Sequence, residues 1–190
     1  KDNARMVAAF VTAMHHGGVA ATVKHFPGIG RIVNNTDFYA TGITDTVTDA
    51  NDPYLEPFAS GIRAGADLVM VGSAIYTKLD PGVNAVFSKR IVTDLLRDQL
   101  GWQGVTITDD VGNAKAVAGT PVGERATKFI AAGGDIVLTA RPADVTVMHE
   151  AITAKARGDA AFARQVLFSA ARVIDLKGSR GLGACRPTGQ

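Results

Sequence analysis

Leu95–Gly112 reads L-L-R-D-Q-L-G-W-Q-G-V-T-I-T-D-D-V-G. Its first residues close an amphipathic helix, Gly101–Gly104 make a turn, and Val105–Thr108 is a short apolar strand. Asp109 and Asp110 then place a carboxylate where the strand stops. In parallel α/β barrels the C-terminal ends of the strands carry the chemistry, so this stretch marks both the fold class and a candidate site. The two acids cannot both face one pocket on a regular strand, because successive side chains alternate. Periodicity leaves open which of them does; a cap on the following helix is the structural alternative, since Asp is a favoured N-cap.

Outward from this stretch, apolar strand-like runs alternate with helical periods, the pattern of βα units around a parallel sheet. Helices are predicted over 4–14, 53–64, 88–100, 122–132, 145–157 and 160–176, and strands over 19–23, 68–71, 105–108 and 135–139. Ser88 stands at the N-cap position of its helix. Residues 28–52 and 77–88 read as loops, the first rich in Gly, Asn, Thr and Asp and without a clear period. No tandem repeat or low-complexity linker interrupts the series. Four strands, each followed by a helix, amount to half of a (β/α)8 barrel, for which about 250 residues are typical against the 190 here. With Lys1-Asp2-Asn3 opening on a helix already under way, the expectation is the C-terminal part of one catalytic barrel over residues 1–180, then a polar tail over 181–190. The missing N-terminal half of the barrel is the implied partner.

A second stretch, Lys24-His25-Phe26-Pro27-Gly28-Ile29-Gly30, follows the first predicted strand. Pro27 and Gly28 suit a sharp turn, and an X-Pro bond can be cis. Gly28 and Gly30 are not a phosphate-binding loop, because the lysine-serine/threonine ending is absent. Gly72-Ser73-Ala74 is not a nucleophile elbow, which needs Gly-x-Ser-x-Gly; Ser73 reads instead as a small residue at a strand end that lines the pocket and contacts substrate.

Taken together, K-H-F-P-G and the pattern of Leu95-Leu96-Arg97, Gln99, Gly104, Thr108-Asp109 and Gly112 resemble the family 3 glycoside hydrolases, most closely their bacterial β-N-acetylhexosaminidase branch. The resemblance covers about residues 19–181 and implies a TIM-type barrel and a retaining glycosidase. It implies Asp109 as the nucleophile, with Lys24 and His25 gripping hydroxyls of the sugar; an ion-pair network of Lys24 and His25 with Asp109 is compatible with that grip. The implied substrate is terminal β-linked N-acetylhexosamine, expected in cell-wall peptidoglycan fragments, and no metal or organic cofactor is implied. The branch carries an Asp-Ser-His triplet in the next loop, whose histidine is the acid/base. Ungapped counting from Lys24 puts Asn35-Thr36-Asp37 there, so Asp37 is the candidate acid/base, with an Asx-type turn as its structural alternative. Two other readings follow: a catalytically weakened barrel that binds cell-wall sugar, and a β-glucosidase of the same family. His15, His16 and His149 fall on helices, where solvated faces are expected.

Composition bounds the rest. Hydrophobic residues make up 46% and charged residues 20%, an ordinary globular balance, and no apolar run reaches the ~20 residues of a membrane span. A net charge of +2 without a basic stripe argues against a nucleic-acid partner. The single cysteine, Cys185, can close no internal disulfide or zinc site. The compartment is not legible in the residues; the resemblance favours the cell envelope or secretion, with the cytoplasm as the alternative.

Overall fold

The computed structural model describes residues 2–182; Lys1, Cys185 and most of the predicted polar tail lie outside the described residues. Its centre is a parallel sheet of β1 (Thr22–Phe26), β3 (Leu68–Val71) and β5 (Val105–Thr108), in the order β1-β3-β5. Two-residue strands β2 (Thr44–Asp45) and β4 (Ile75–Tyr76) pair parallel in a second small sheet. Helices α1 (Asp2–His16), α2 (Glu56–Arg63), α3 (Val122–Ala131), α4 (Pro142–Gly158) and α5 (Ala160–Ser179), with a π-helix at Arg90–Gln99, cover one face. This is an arc of parallel strands backed by helices, the architecture of a partial α/β barrel.

The strands 68–71 and 105–108 stand where the sequence puts them. The other two differ. Strand β1 begins three residues later than predicted, so Lys24 and His25 lie within it rather than beyond it. The segment 135–139 joins the sheet only through a parallel bridge between Ile107 and Ile136, because the Leu138 N–H goes to the Thr108 hydroxyl (2.8 Å) instead of a ladder carbonyl.

Register explains the two faces of the arc. Val69 pairs with Thr106 and Val71 with Thr108, and all four are buried against the helices. Lys24, Met70 and Ile107 share the next layer and point to the concave side, where they are exposed or half-buried. Apolar side chains at both flanks are also uncovered: Met6 and Phe10 on α1, and Leu167, Phe168 and Ile174 on α5.

The Arg97 and Gly104 parts of the long motif prove to be scaffold. Arg97 donates to the carbonyls of Gly133 (3.0 Å) and Gly104 (3.2 Å), to the Thr106 hydroxyl (3.0 Å) and to Asp135 (2.7 Å). A side chain at Gly104 would meet the Trp102 ring at 2.4 Å, and the Trp102 indole N–H is tied to Thr106 (3.0 Å). Leu95 and Leu96 are buried on the inner stripe of the π-helix with Ile91 and Val92. Its last turn closes through an i→i−5 bond from the Leu100 N–H to Leu95. Ser88 caps the start as expected, accepting from the Ile91 N–H (3.2 Å).

At the opposite end of the strands, His15 departs from the solvated position expected of it. Its Nε2 lies 2.8 Å from Asp67, which also accepts from the Ala21 N–H (2.7 Å) and from Arg180. The cluster ties the end of α1, the start of β3 and the end of α5 together. Burial works to raise the Asp67 carboxyl, but these donors outweigh it and hold it below the ordinary range.

Candidate active site

The site sits at the C-terminal ends of β1 and β5. Val23 packs outward, within reach of Gly61 on α2, and Phe26 is fully buried with its ring edge-on to Phe58 at 5.2 Å. Two residues on one face normally stand two apart, whereas these stand three apart. The ladder accommodates the difference: Lys24 pairs with Met70 and Phe26 with Val71, leaving His25 as the extra residue of a bulge. Lys24 and His25, which a regular strand would send to opposite faces, therefore both belong to the concave side. The peptide bonds Lys24–His25 and Phe26–Pro27 are cis.

His25 Nε2 lies 3.6 Å from the Asp109 carboxylate, and both side chains are about one-fifth exposed, at 22% and 23%. Burial lowers the His25 pKa from its usual value, with Asp109 opposing and the Lys24 charge assisting. Lys24 has no ion pair among the described residues and stands exposed on the same side. Gly72 permits the close fit, since a Cβ there would meet the His25 Cβ at 3.3 Å. The turn after β1 is pinned by the buried Tyr76, whose hydroxyl donates to the Gly28 carbonyl (2.8 Å); Gly28 takes φ +121°, a backbone that glycine alone adopts freely.

The two adjacent acids divide their work. Asp110 accepts from the N–H groups of Gly112 (2.8 Å) and Ala140 (3.0 Å) and from the Asn113 amide (3.1 Å). Burial raises its carboxyl, but those donors prevail and hold it low, so Asp110 organises its loop. In Asp109 one carboxylate oxygen accepts only the Asp110 N–H (2.9 Å) and the other faces His25. Its backbone N–H is fixed to Val71 (2.9 Å). Asp109 is thus a rigidly mounted carboxylate with an oxygen to spare, the requirement of a nucleophile.

Asp37 is brought to this place by a loop that is better ordered than its composition suggests. Arg31 donates to Asp52 (2.7 Å) and Thr48 (2.7 Å), and Thr48 and Val47 N–H groups bind the buried Asp45 of β2 (2.8 and 2.7 Å). The Asx turn is present: the Asn35 side chain accepts from the Asp37 N–H (2.8 Å). It uses Asp37's backbone and leaves the carboxyl free. Partial burial, then Asp109 and Asp110, raise the Asp37 carboxyl, with His25 opposing. A carboxyl raised by burial and by a neighbouring carboxylate is the electrostatic pattern expected of an acid in a two-carboxylate site.

Ser73 requires a correction. It is 1% exposed and its hydroxyl has no hydrogen-bond partner among the described residues, so it does not line the open cleft. The chain bends at Ser73, whose carbonyl accepts from the Asn84 amide (2.8 Å). A hollow of about 850 Å³ opens along the free edge of β1, touching Lys24, His25, Arg31, Tyr54 and Phe58. No group of three His, Cys, Asp or Glu among the described residues could hold a metal ion, and no described helix is long and apolar enough to cross a membrane.

The strand-end carboxylate of Asp109, the bulged Lys24-His25 pair and the Asp37 carboxyl on the following loop make up the candidate site. The model described as the glycosyl hydrolase family 3 N-terminal domain matches residues 2–176, and the chain belongs to that family. Among its relatives are a β-hexosaminidase of Xanthomonas axonopodis pv. citri, 37% identical over 155 residues, and one of Stenotrophomonas maltophilia, 36% identical over 158. These alignments cover 80% and 83% of this chain but 46% and 47% of the relatives, so the chain spans about half their length. The crystal structure of a β-N-acetylhexosaminidase from Beutenbergia cavernae matches 92% of the chain and 51% of its own, with TM-score 0.85 and 43% identity. A family 3 β-N-acetylglucosaminidase from Paenibacillus matches 98% of this chain and 36% of its own, with TM-score 0.83 and 28% identity.

Proposed function

We propose that residues 1–180 form the nucleophile-bearing part of a retaining glycosidase that removes terminal β-linked N-acetylhexosamine, with peptidoglycan fragments as its source and a preceding set of βα units completing the pocket. The observation that carries this reading is Asp109: a strand-end carboxylate with an open oxygen, facing His25, with an elevated Asp37 carboxyl nearby. Support for the sugar comes from relatives that carry β-hexosaminidase and β-N-acetylglucosaminidase names.

Asp109 attacks the anomeric carbon and forms a glycosyl ester while Asp37 donates its proton to the departing oxygen. Water, deprotonated by Asp37, then cleaves the ester and restores both carboxyls. Lys24 and neutral His25 hold sugar hydroxyls beside the reacting carbon. Side-by-side turnover of chromogenic N-acetylglucosaminide and glucoside by the full-length protein tests the reading. Preference for the first supports it, preference for the second reassigns the sugar, and binding without turnover reassigns the protein as a sugar-binding barrel.

Asp37 gives a separate expectation. General acid catalysis contributes about 10²–10⁴-fold, so Asp37→Ala should lose about that much on glycosides with poor leaving groups and far less on activated aryl glycosides. Azide should restore the second step. The pH profile follows from the sign of the shift. An acid catalyst must be protonated, so kcat/KM for poor leaving groups holds below the Asp37 pKa and falls as pH rises through it. The raised pKa places that fall above the ~3.9 of an ordinary aspartate. Kinetics of Asp37→Ala that leave this limb in place and spare both substrate classes would make Asp37 a turn residue only.

A further inference from the structure

Arg125, on α3, is a buried cation whose guanidinium faces backbone carbonyls rather than a carboxylate. It donates to Val111 (2.6 Å), Thr120 (2.7 Å), Gly112 (3.1 Å) and Ala118 (3.4 Å). Burying a charge is costly unless its donors are satisfied, and here the loop over 111–120 satisfies them by wrapping around the guanidinium. The wrap turns the middle of that loop towards its neighbour: the Lys115 N–H donates to the Asp37 carbonyl (3.1 Å) and the Ala116 N–H to the Thr36 carbonyl (3.0 Å). Two backbone bonds thus hold the segment that carries Asp37.

The carbonyl of the same residue, Ala116, is held by Asn84. Its amide donates to the Ala116 carbonyl (3.2 Å) and to the Ser73 carbonyl just after β3 (2.8 Å). Asn84 is itself anchored, since Ile75 bridges to it and the Ala85 N–H donates to Ala74 (2.8 Å). A continuous path therefore runs from the end of β3, through Asn84 and Ala116, to Thr36 and Asp37. Strand β3 also fixes the nucleophile, through the Val71 carbonyl that accepts the Asp109 N–H. Both reacting groups are referenced to one strand.

From this we infer that Asn84 is a positioning residue for the reaction, fixing the Asp37 loop relative to β3 and Asp109 through Ala116. The inference rests on the reading of Asp37 as the acid/base. The Asn84 amide donates to two backbone carbonyls and not to Asp37's carboxyl, so its effect on Asp37 passes through the loop.

The test compares Asn84→Ala with Asp37→Ala in the full-length enzyme. The substrates are an alkyl N-acetylglucosaminide, a poor leaving group, and a dinitrophenyl one, which needs little protonation; backbone amide hydrogen exchange is the second readout. Misplacement of an acid by about 1 Å costs on the order of 10²-fold, so Asn84→Ala should lose about that on the alkyl substrate and under about threefold on the activated one. Exchange should accelerate in peptides covering 34–41 and 113–118. An equal loss on both substrates means a general packing defect and overturns the positioning role. So does unchanged exchange, or leaving-group selectivity in Asp37→Ala without any in Asn84→Ala, and in that case the acid reading survives. If Asp37→Ala itself lacks selectivity, the acid reading fails first and the positioning role falls with it.

Discussion

Asp109→Ala in the full-length enzyme should lower kcat by about 10⁴-fold or more, which at 1.36 kcal/mol per factor of ten is about 5 kcal/mol of transition-state stabilisation. The expectation comes from the division of labour between the two acids. Asp110 spends its oxygens on Gly112, Asn113 and Ala140, whereas Asp109 keeps one oxygen turned to His25 and the cleft. Asp110→Asn is the informative control. An amide oxygen can still accept from Gly112 and Ala140, so a moderate loss with partial thermal destabilisation is expected. Comparable loss of turnover in the two variants, or a larger loss in Asp110→Asn, would exchange their roles.

Asp135→Ala should destabilise the protein by about 3–5 kcal/mol, the usual cost of breaking a buried ion pair by removing one partner. The Asp135 side chain is 0% exposed and accepts from Arg97 (2.7 Å), Arg172 (2.8 Å) and the Thr106 N–H (2.8 Å). Its removal leaves two guanidinium groups facing each other across a buried gap and frees the N–H of Thr106 on β5. Chemical denaturation of the full-length protein measures the change. A shift under about 1 kcal/mol would mean that the cluster is already hydrated, and the scaffold role given to Arg97 would lose its main support.

Much of this arrangement was legible in the chain. Strands 68–71 and 105–108 are short apolar runs bounded by turn residues, and their ends are set by Asp67, Gly72, Gly104 and Asp109. Strand β1 was misplaced because the apolar Val19-Ala20-Ala21 outweighs the charged Lys24-His25 in any hydrophobic reading. The bulge that reconciles Val23 with Phe26 has no signature in side-chain type. The β2–β4 pair is two residues long on each side, below any periodicity, and depends on distant pairing. The predicted strand 135–139 is reduced to a single bridge at Ile136, and the hydroxyl of Thr108 takes the Leu138 N–H, a choice that hydrophobic patterning cannot encode.

The site divides in the same way. Asp109 is a candidate by its position, with family resemblance choosing it over Asp110; Lys24 and His25 come with the K-H-F-P-G motif, and Asp37 comes from ungapped counting to a family triplet that this sequence does not carry. Ser73 differs from expectation because a small residue after a strand end can turn either way, and here the chain bends at Ser73 and buries it. Tyr76, Asn84 and Arg125 were missed because each acts on backbone carbonyls, which every residue possesses. The signals available for them were faint: an arginine inside an otherwise apolar helical stripe, and an asparagine just before a helical turn.

The central claim is that Asp109 bonds covalently to the sugar. Incubation of the active full-length enzyme with a slow 5-fluoro-N-acetylglucosaminyl fluoride, followed by digestion and mass spectrometry, tests it most directly. The mass of one sugar should appear on a single peptide that contains residues 105–112, with fragmentation placing it on Asp109. A label on Asp110, on Asp37 or on any other peptide, with turnover inhibited in proportion to that label, would contradict it.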